Sequence, residues 1–184
     1  MKLALVTNKN LIEAYNIQKT IFPSEPDYLL LKNAVDKKDR ALKHFLAYNN
    51  GKCVDITGIY VEACDKDSIW LSWFGVLKEE RSKGYGRKML EATKDICKKL
   101  PFKYFRCYTS SKYNASAIPL YNSFFEITEK YENNQDETYQ NTAMIYSSSL
   151  TNEKVKPWDN KYIGIKEYDE LCVKGEEFLK TKSL

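Results

Sequence analysis

Trp70-Leu-Ser-Trp-Phe-Gly-Val-Leu-Lys-Glu-Glu-Arg-Ser-Lys-Gly-Tyr-Gly-Arg-Lys-Met-Leu90 is the stretch on which the reading of this chain turns. It opens as an apolar, aromatic run of strand character and passes through a charged turn. It then delivers Arg81-Ser82-Lys83-Gly84-Tyr85-Gly86 onto the start of a helix. The two glycines allow the backbone to curl so that successive amides point one way, into a nest for an anion. The helix that follows adds its unpaired N–H groups and the positive end of its dipole. Arg81, Lys83, Arg87 and Lys88 add full charges. The stretch is therefore a phosphate cradle with a strand leading into it.

The helix after the cradle is amphipathic. Met89, Leu90, Thr93, Ile96, Cys97 and Leu100 fall on one face, Lys88, Glu91, Lys94, Asp95, Lys98 and Lys99 on the other, and Pro101 stops it. A dinucleotide fingerprint would need a third glycine where Met89 stands, and a P-loop would need Gly-Lys-Ser/Thr at its end; neither is present. Taken alone, two glycines in a basic turn also describe an ordinary strand-to-helix connection.

Length and composition narrow the function classes. A chain of 184 residues, 43% hydrophobic and 14% aromatic, fits one globular domain with a single core. Cys53, Cys64, Cys97, Cys107 and Cys172 are odd in number and form no Cys-x-x-Cys pair, which argues against a disulfide framework or zinc site and for a reducing compartment. With His44 the one histidine, metal hydrolysis and Ser-His catalysis have little to work with, and no metal is expected. No signal peptide opens the sequence, and no apolar run approaches the ~18 residues of a membrane span. A cytoplasmic protein with no membrane partner is expected. The net charge of +4 is too small to imply nucleic acid. Its distribution says more: residues 78–103 carry nine Lys/Arg against four acids, whereas 126–139 carry Lys130 against Glu126, Glu129, Glu132, Asp136 and Glu137. Opposite charge in two places fits two different ligands as well as two solvated faces.

In order, Lys2 to Val6 reads as a strand. A helix follows, with Asn10 and Glu13 as a capping box, and ends at Pro23; a shorter helix fits between Pro26 and Asp36. His44–Tyr48, Asn49-Asn50-Gly51 and Val54–Ala63 form a hairpin signal. Strands are predicted at Ile69–Val76 and Lys103–Thr109, a helix opening at Asn114, and a closing hairpin from Ile127–Glu132 and Tyr139–Ser148. Residues 151–184 differ: a Lys/Pro/Asn-rich connector leads to a helix predicted over Glu167–Lys180. That extension is an accessory helix docked on the 1–150 domain, a homodimer contact, or a cover over the active site.

Arg81-x-x-Gly84-x-Gly86, set between an apolar strand and an amphipathic helix, resembles the pyrophosphate-binding motif of the GCN5-related N-acetyltransferases. Asn114-x-x-Ala117-x-x-x-Tyr121 resembles the second segment that recurs in that family. Each motif is moderately specific; in this order and strand–helix context the pair is strong, and the resemblance covers residues 1 to about 150. It implies an α/β (α+β) fold: a mixed, mostly antiparallel sheet of six to seven strands, its fourth and fifth strands splayed, with helices on both faces. It also implies acetyl-CoA in the splay as cosubstrate. The pyrophosphate would lie on Arg81, Ser82, Lys83, Gly84, Tyr85, Gly86 and Arg87, and the pantetheine arm against the backbone of Phe74, Gly75 and Val76. Asn114 matches the position that contacts that arm, and Tyr121, also at the cofactor, the position of the general acid.

The implied activity is acyl transfer from acetyl-CoA to a primary amine, which needs a proton acceptor for the amine and a donor for the leaving thiolate. The alternative is a non-catalytic acyl-CoA-binding or regulatory module. Some relatives carry a glutamate base early on the fourth strand, where this chain has Trp70. Glu62, expected on the third strand, is the best remaining base, with solvent an equal rival. The acids of 126–139 suit an acceptor that is cationic overall. Two further departures are Pro119 inside the second motif and Phe124-Phe125-Glu126 where relatives place a Gly-Phe turn.

Overall fold

The computed structural model describes residues 1–36, 42–62, 65–110, 116–133 and 141–158. Seven strands, β1 (Lys2–Leu5), β2 (Leu42–Asn49), β3 (Lys52–Tyr60), β4 (Ser68–Val76), β5 (Tyr104–Ser110), β6 (Glu126–Asn133) and β7 (Asn141–Ser149), form one sheet in the order β1-β2-β3-β4-β5-β7-β6. Every neighbouring pair is antiparallel except β4 with β5, which run parallel. Helices α1 (Leu11–Ile21) and α2 (Tyr28–Val35) lie between β1 and β2 in the chain, α3 (Tyr85–Cys97) between β4 and β5, and α4 (Ile118–Asn122) between β5 and β6.

The alternation of strand side chains divides the core between two faces. On one, Leu46 and Ile56 pack with Leu11, Ala14 and Leu31 of α1 and α2. On the other, Ile59, Ile69, Leu71 and Phe105 pack with Leu90 and Cys97 of α3 and Tyr121 of α4. The buried stripe of α3 is Met89, Leu90, Thr93 and Cys97, the face expected from its spacing. Each large apolar side chain so buried contributes about 1.5–3 kcal/mol. The β2–β3 turn takes the form its sequence requires: Asn50 at φ 48° and Gly51 at φ 80°.

Three expectations change. The capping box at Asn10 and Glu13 does not form. Asn10 Oδ1 accepts from the Thr7 N–H (2.7 Å) and its amide donates to the Leu5 carbonyl (3.2 Å), while Glu13 accepts from the Tyr48 hydroxyl (2.6 Å). Asn10 therefore closes the turn out of β1 instead of capping α1. The helix expected to open at Asn114 begins at Ile118, and Pro119 sits in its first turn, where a missing N–H costs nothing. β3 ends at Tyr60, so Glu62 follows the strand instead of lying on it. The 133–136 turn falls largely, and the 167–180 helix wholly, outside the described residues.

Two irregularities shape the middle of the sheet. β4 and β5 pair only at Ser68–Tyr104, Ile69–Phe105 and Trp70–Arg106, and beyond these three the ladder stops. On the other edge of β4 a bulge lies between Thr57 and Gly58: Gly58 pairs with Ser72 and Thr57 with Phe74, leaving Trp73 extra. Trp73 packs toward α1 against Phe22 and His44, and Phe74 turns to the α3/α4 face against Tyr121.

Asp55 on β3 is fully buried, and neither carboxylate oxygen has a hydrogen-bond partner among the described residues. Burial pushes its pKa from 3.8 to about 9. The unfolded chain releases this proton above pH 3.8, so the stability contributed by the neutral form is complete below that pH and is lost as pH rises toward 9. Asp55→Asn keeps the shape and removes the ionisation. The variant should be more stable than wild type by an amount that grows between pH 5 and pH 9, reaching on the order of 2–4 kcal/mol near neutrality. Melting temperatures of both proteins across that range test this; a difference independent of pH would show that Asp55 does not stay protonated in the fold.

Candidate active site

The parting of β4 and β5 leaves a wedge, closed at Trp70–Arg106 and open toward Val76 and Ser110. Residues Phe74, Gly75 and Val76 line its β4 side. On that edge they have no β5 partner, so backbone groups there other than the Val76 carbonyl, which Arg81 takes, can pair with an extended ligand. Gly75 is required for a different reason as well. A Cβ there would stand 2.3 Å from Ile21 Cγ2 and 2.8 Å from Phe22 Cζ, so the end of α1 sits directly on the strand.

The chain then turns through Lys78–Glu80 into the cradle at the N-terminus of α3. Positive φ belongs to Ser82 (62°) and Gly84 (78°), not to both glycines as the sequence implied. Gly84 is the residue before the helix, and Gly86 lies in its first turn. What Gly86 supplies is clearance: a Cβ would meet Leu120 Cδ2 at 3.0 Å and Phe74 Cζ at 3.7 Å. The cradle thus has its curl from Ser82 and Gly84, and its close packing on α4 and β4 from Gly86.

The charges around the cradle are held, not loose. Glu80, 7% exposed, accepts from Lys52 (2.5 Å) and Lys83 (2.9 Å), and these two ammonium groups keep its carboxyl below the usual range. Arg81 Nε donates to the Val76 carbonyl (3.1 Å), and Arg87 Nη2 to Ser123 Oγ at the end of α4 (2.6 Å). The Tyr85 hydroxyl accepts from Asn49 (2.8 Å). Lys52 and Asn49 come from the β2–β3 turn and were missed by sequence reasoning, because nothing local in that turn marks a contact made across the fold. Glu80 was in view but read only as part of a charged turn.

Tyr121 stands where the wedge needs a plug on its α3/α4 side. Its ring lies 5.9 Å from Phe74 on β4 and 5.6 Å from Tyr146 on β7, and its hydroxyl lies against the Cys107 thiol on β5. It is 5% exposed, and burial, reinforced by Cys107, raises its pKa well above the ordinary phenol value. The group is a protonated phenol at neutral pH: a proton donor to a stronger base, not a base itself. Without a glycine, the chain still leaves α4 in order. Phe125 N–H donates to the Tyr121 carbonyl (2.8 Å), and Phe124 and Phe125 pack edge to face at 4.9 Å.

Other sequence candidates are placed less fully. Asn114, Asp136 and Glu137 lie outside the described residues. Glu62 is half-buried near the closed end of the wedge, one strand over, and adds to burial in raising the Tyr60 phenol. Glu129 accepts a hydrogen bond from the Trp158 N–H. The closed end itself is built on Arg106, which sequence reasoning passed over. It is 2% exposed and donates to Ser68 Oγ (2.8 Å), Ser147 Oγ (2.6 Å) and the Lys156 carbonyl (2.8 Å), with Asp65 Oδ2 at 3.4 Å. Burial lowers Arg106 and raises Asp65, so desolvation outweighs their attraction, and hydrogen bonds make up the difference.

The structure is similar to that of ribosomal-protein-S18-alanine N-acetyltransferase from Escherichia coli, at 20% identity over 85% of this chain and 98% of that one, TM-score 0.63. It is similar also to Arabidopsis thaliana Naa50 in complex with a bisubstrate analogue, at 24% identity over 80% and 97%, TM-score 0.60. An aminoglycoside 6'-N-acetyltransferase complexed with coenzyme A matches at 8% identity over 84% and 100%, TM-score 0.65. At these identities the likeness shows the fold. No curated protein sequence matches. The sequence itself matches the acetyltransferase (GNAT) family over residues 9–125, well over half its length. Splayed parallel strands, a cradle on α3 and a family match that spans both place this chain in the acetyltransferase (GNAT) family.

Proposed function

We propose that this protein transfers the acetyl group of acetyl-CoA to a primary amine by direct attack, within a domain formed by residues 1–150. The observation that carries the reading is the wedge between β4 and β5, with a phosphate cradle at its mouth and a protonated phenol against its side. The pyrophosphate would take the amides of Ser82–Gly86 and the charges of Arg81 and Lys83. The pantetheine arm would continue the sheet along Phe74, Gly75 and Val76, with Asn114 as a further contact.

The chemistry follows from that placement. The amine nitrogen, having lost a proton to water or to Glu62, forms a bond to the thioester carbonyl carbon. The C–S bond then breaks, and the thiolate leaves with the pair and takes a proton from Tyr121. Burial keeps Tyr121 protonated at every pH where the enzyme would work, but the same raised pKa makes it a weak acid toward a thiolate, so the hydroxyl helps mainly by hydrogen-bonding the sulfur as charge develops on it. Support for a cationic acceptor comes from the acids of the β6–β7 region. Among these acids, Glu129 also accepts from the Trp158 N–H.

A screen of primary amines (polyamines, amino acids, aminoglycosides, peptide N-termini) for consumption of acetyl-CoA tests the activity and the acceptor class together. Turnover with no member would return the chain to an acyl-CoA-binding module. Gly86→Asp, checked for folding, should lose acetyl-CoA affinity by at least about 100-fold in calorimetric titration, since a carboxylate then stands beside the anion site. Gly86→Ala, which adds only a methyl against Leu120, should retain affinity within a few-fold. Equal binding by the Asp variant would remove the cradle assignment.

Tyr121→Phe keeps the ring among Phe74, Phe125 and Tyr146 and deletes only the hydroxyl. Melting temperature and acetyl-CoA affinity should hardly change, while kcat falls by roughly the 10²–10⁴-fold of a general acid. Wild-type kcat in a folded Phe variant would make Tyr121 a packing residue.

A further inference from the structure

After β7 the chain does not leave the sheet. Leu150 still packs with the α3/α4 cluster; from there residues 150–158 form a strap that reaches the opposite face by Lys156 and Trp158, latched at successive points. Leu150 N–H donates to the Lys103 carbonyl (2.8 Å), the Tyr104 hydroxyl to the Lys154 carbonyl (3.4 Å), and Arg106 Nη2 to the Lys156 carbonyl (2.8 Å). Trp158 N–H donates to Glu129 on β6. Pro157 stiffens the last step. The strap thereby lays the Trp158 indole edge-on against Trp70 at 5.0 Å, and Trp70 itself is 2% exposed.

Trp70 and Arg106 are the last pair before the wedge opens, so Trp158 lies at its closed end, on the face away from the cradle's helix. Trp158 is only half-buried. Two residues beyond Arg106 on β5, and therefore on the same face, Tyr108 is 54% exposed. Tyr108 thus stands about 6.6 Å along β5 past the last β4–β5 pair, on the face that the strap reaches. If the cradle holds the acyl donor, α3 and α4 close one side of the reacting carbon, and the amine must come from the side where these two aromatic rings stand.

We propose that Trp158 is a specificity residue of the acceptor site. Its indole, on the same face of the sheet as Tyr108, forms an aromatic wall against which a cationic primary amine packs before it loses its proton, by attraction of the ammonium to the ring faces. Glu129 and Arg106 are positioning residues that hold the wall through the strap. This inference rests on the acyltransferase reading and adds to it the surface that receives the amine. It also gives Glu129 a role distinct from recruiting the cation directly: its carboxylate fixes the backbone N–H of the residue that does.

The test uses the full-length protein and the best acceptor found in the amine screen. Trp158→Ala should raise the KM for the amine by about tenfold, the scale of one desolvated cation–ring contact, and leave acetyl-CoA affinity within twofold. Trp158→Phe should recover most of the loss. Glu129→Ala should raise the amine KM in the same way, and Glu129→Gln, which can still accept from the Trp158 N–H, should restore it. An unchanged amine KM in a folded Trp158→Ala protein overturns the proposal, as does a parallel loss of amine KM and acetyl-CoA affinity, which would make the strap a packing element. The two readings fail differently. A wild-type protein that binds acetyl-CoA and acetylates no amine removes both, whereas normal turnover by Trp158→Ala removes only the wall.

Discussion

Three residue pairs join β4 to β5, and the consequences of stopping at three run through the whole molecule. A strand edge in the middle of a sheet presents backbone donors and acceptors that burial cannot tolerate unpaired. The fold neither covers this edge with another strand nor closes it; it keeps the gap open from both sides. On one side Tyr121 bridges Phe74 and Cys107, and on the other the end of α1 rests on Gly75. The sheet on either side is continuous and antiparallel, so the interruption is local and rigidly framed. A site of this kind suits an extended ligand that supplies the missing hydrogen bonds itself.

The cradle at the mouth shows how a basic turn is made to hold one shape. Like charges crowded at a helix N-terminus repel one another, and the buried carboxylate of Glu80 offsets that by taking Lys52 and Lys83 together. Arg81 and Arg87 are each tied to a neighbouring element. The lost entropy of these long side chains is thus met in folding, not at the moment a ligand arrives. Ser82 holds a left-handed φ of 62°, a conformation costly for a residue with a Cβ, and it does so in the loop whose amides must converge.

What could be read from the sequence was what is local. The stripe of α3, the Asn-Gly hairpin, the strands and both motifs rest on spacing within a few residues, and the family resemblance carried the mixed sheet with its splayed fourth and fifth strands. The errors are also local patterns, each overridden by a distant contact. Asn10 looked like a cap and instead closes the turn from β1; Gly86 looked like one of two glycines that curl the backbone and is a clearance for Leu120. Lys52, Arg106 and Trp158 carried no local sign at all, because their roles come from partners 28, 38 and 29 positions away or more. Glu129 was in view as one of the acids of 126–139, but its bond to the Trp158 N–H could not be read from that charge.

The bulge at Trp73 sets the phase of β4. Without it, Trp70, Ser72, Phe74 and Val76 would all share one face, by simple alternation. With it, the first half of β4 presents Trp70 and Ser72 to the strap's face, and the second half presents Phe74 and Val76 to Gly86 and α4. One strand is therefore written in two phases, and each phase addresses a different wall of the wedge. Substitutions before Trp73 and after it should be independent in their effects on those walls, so the strand can drift in sequence on one side without disturbing the other. A single-residue deletion there would be another matter: it would merge the phases and turn one wall inside out while leaving the composition of the strand almost unchanged.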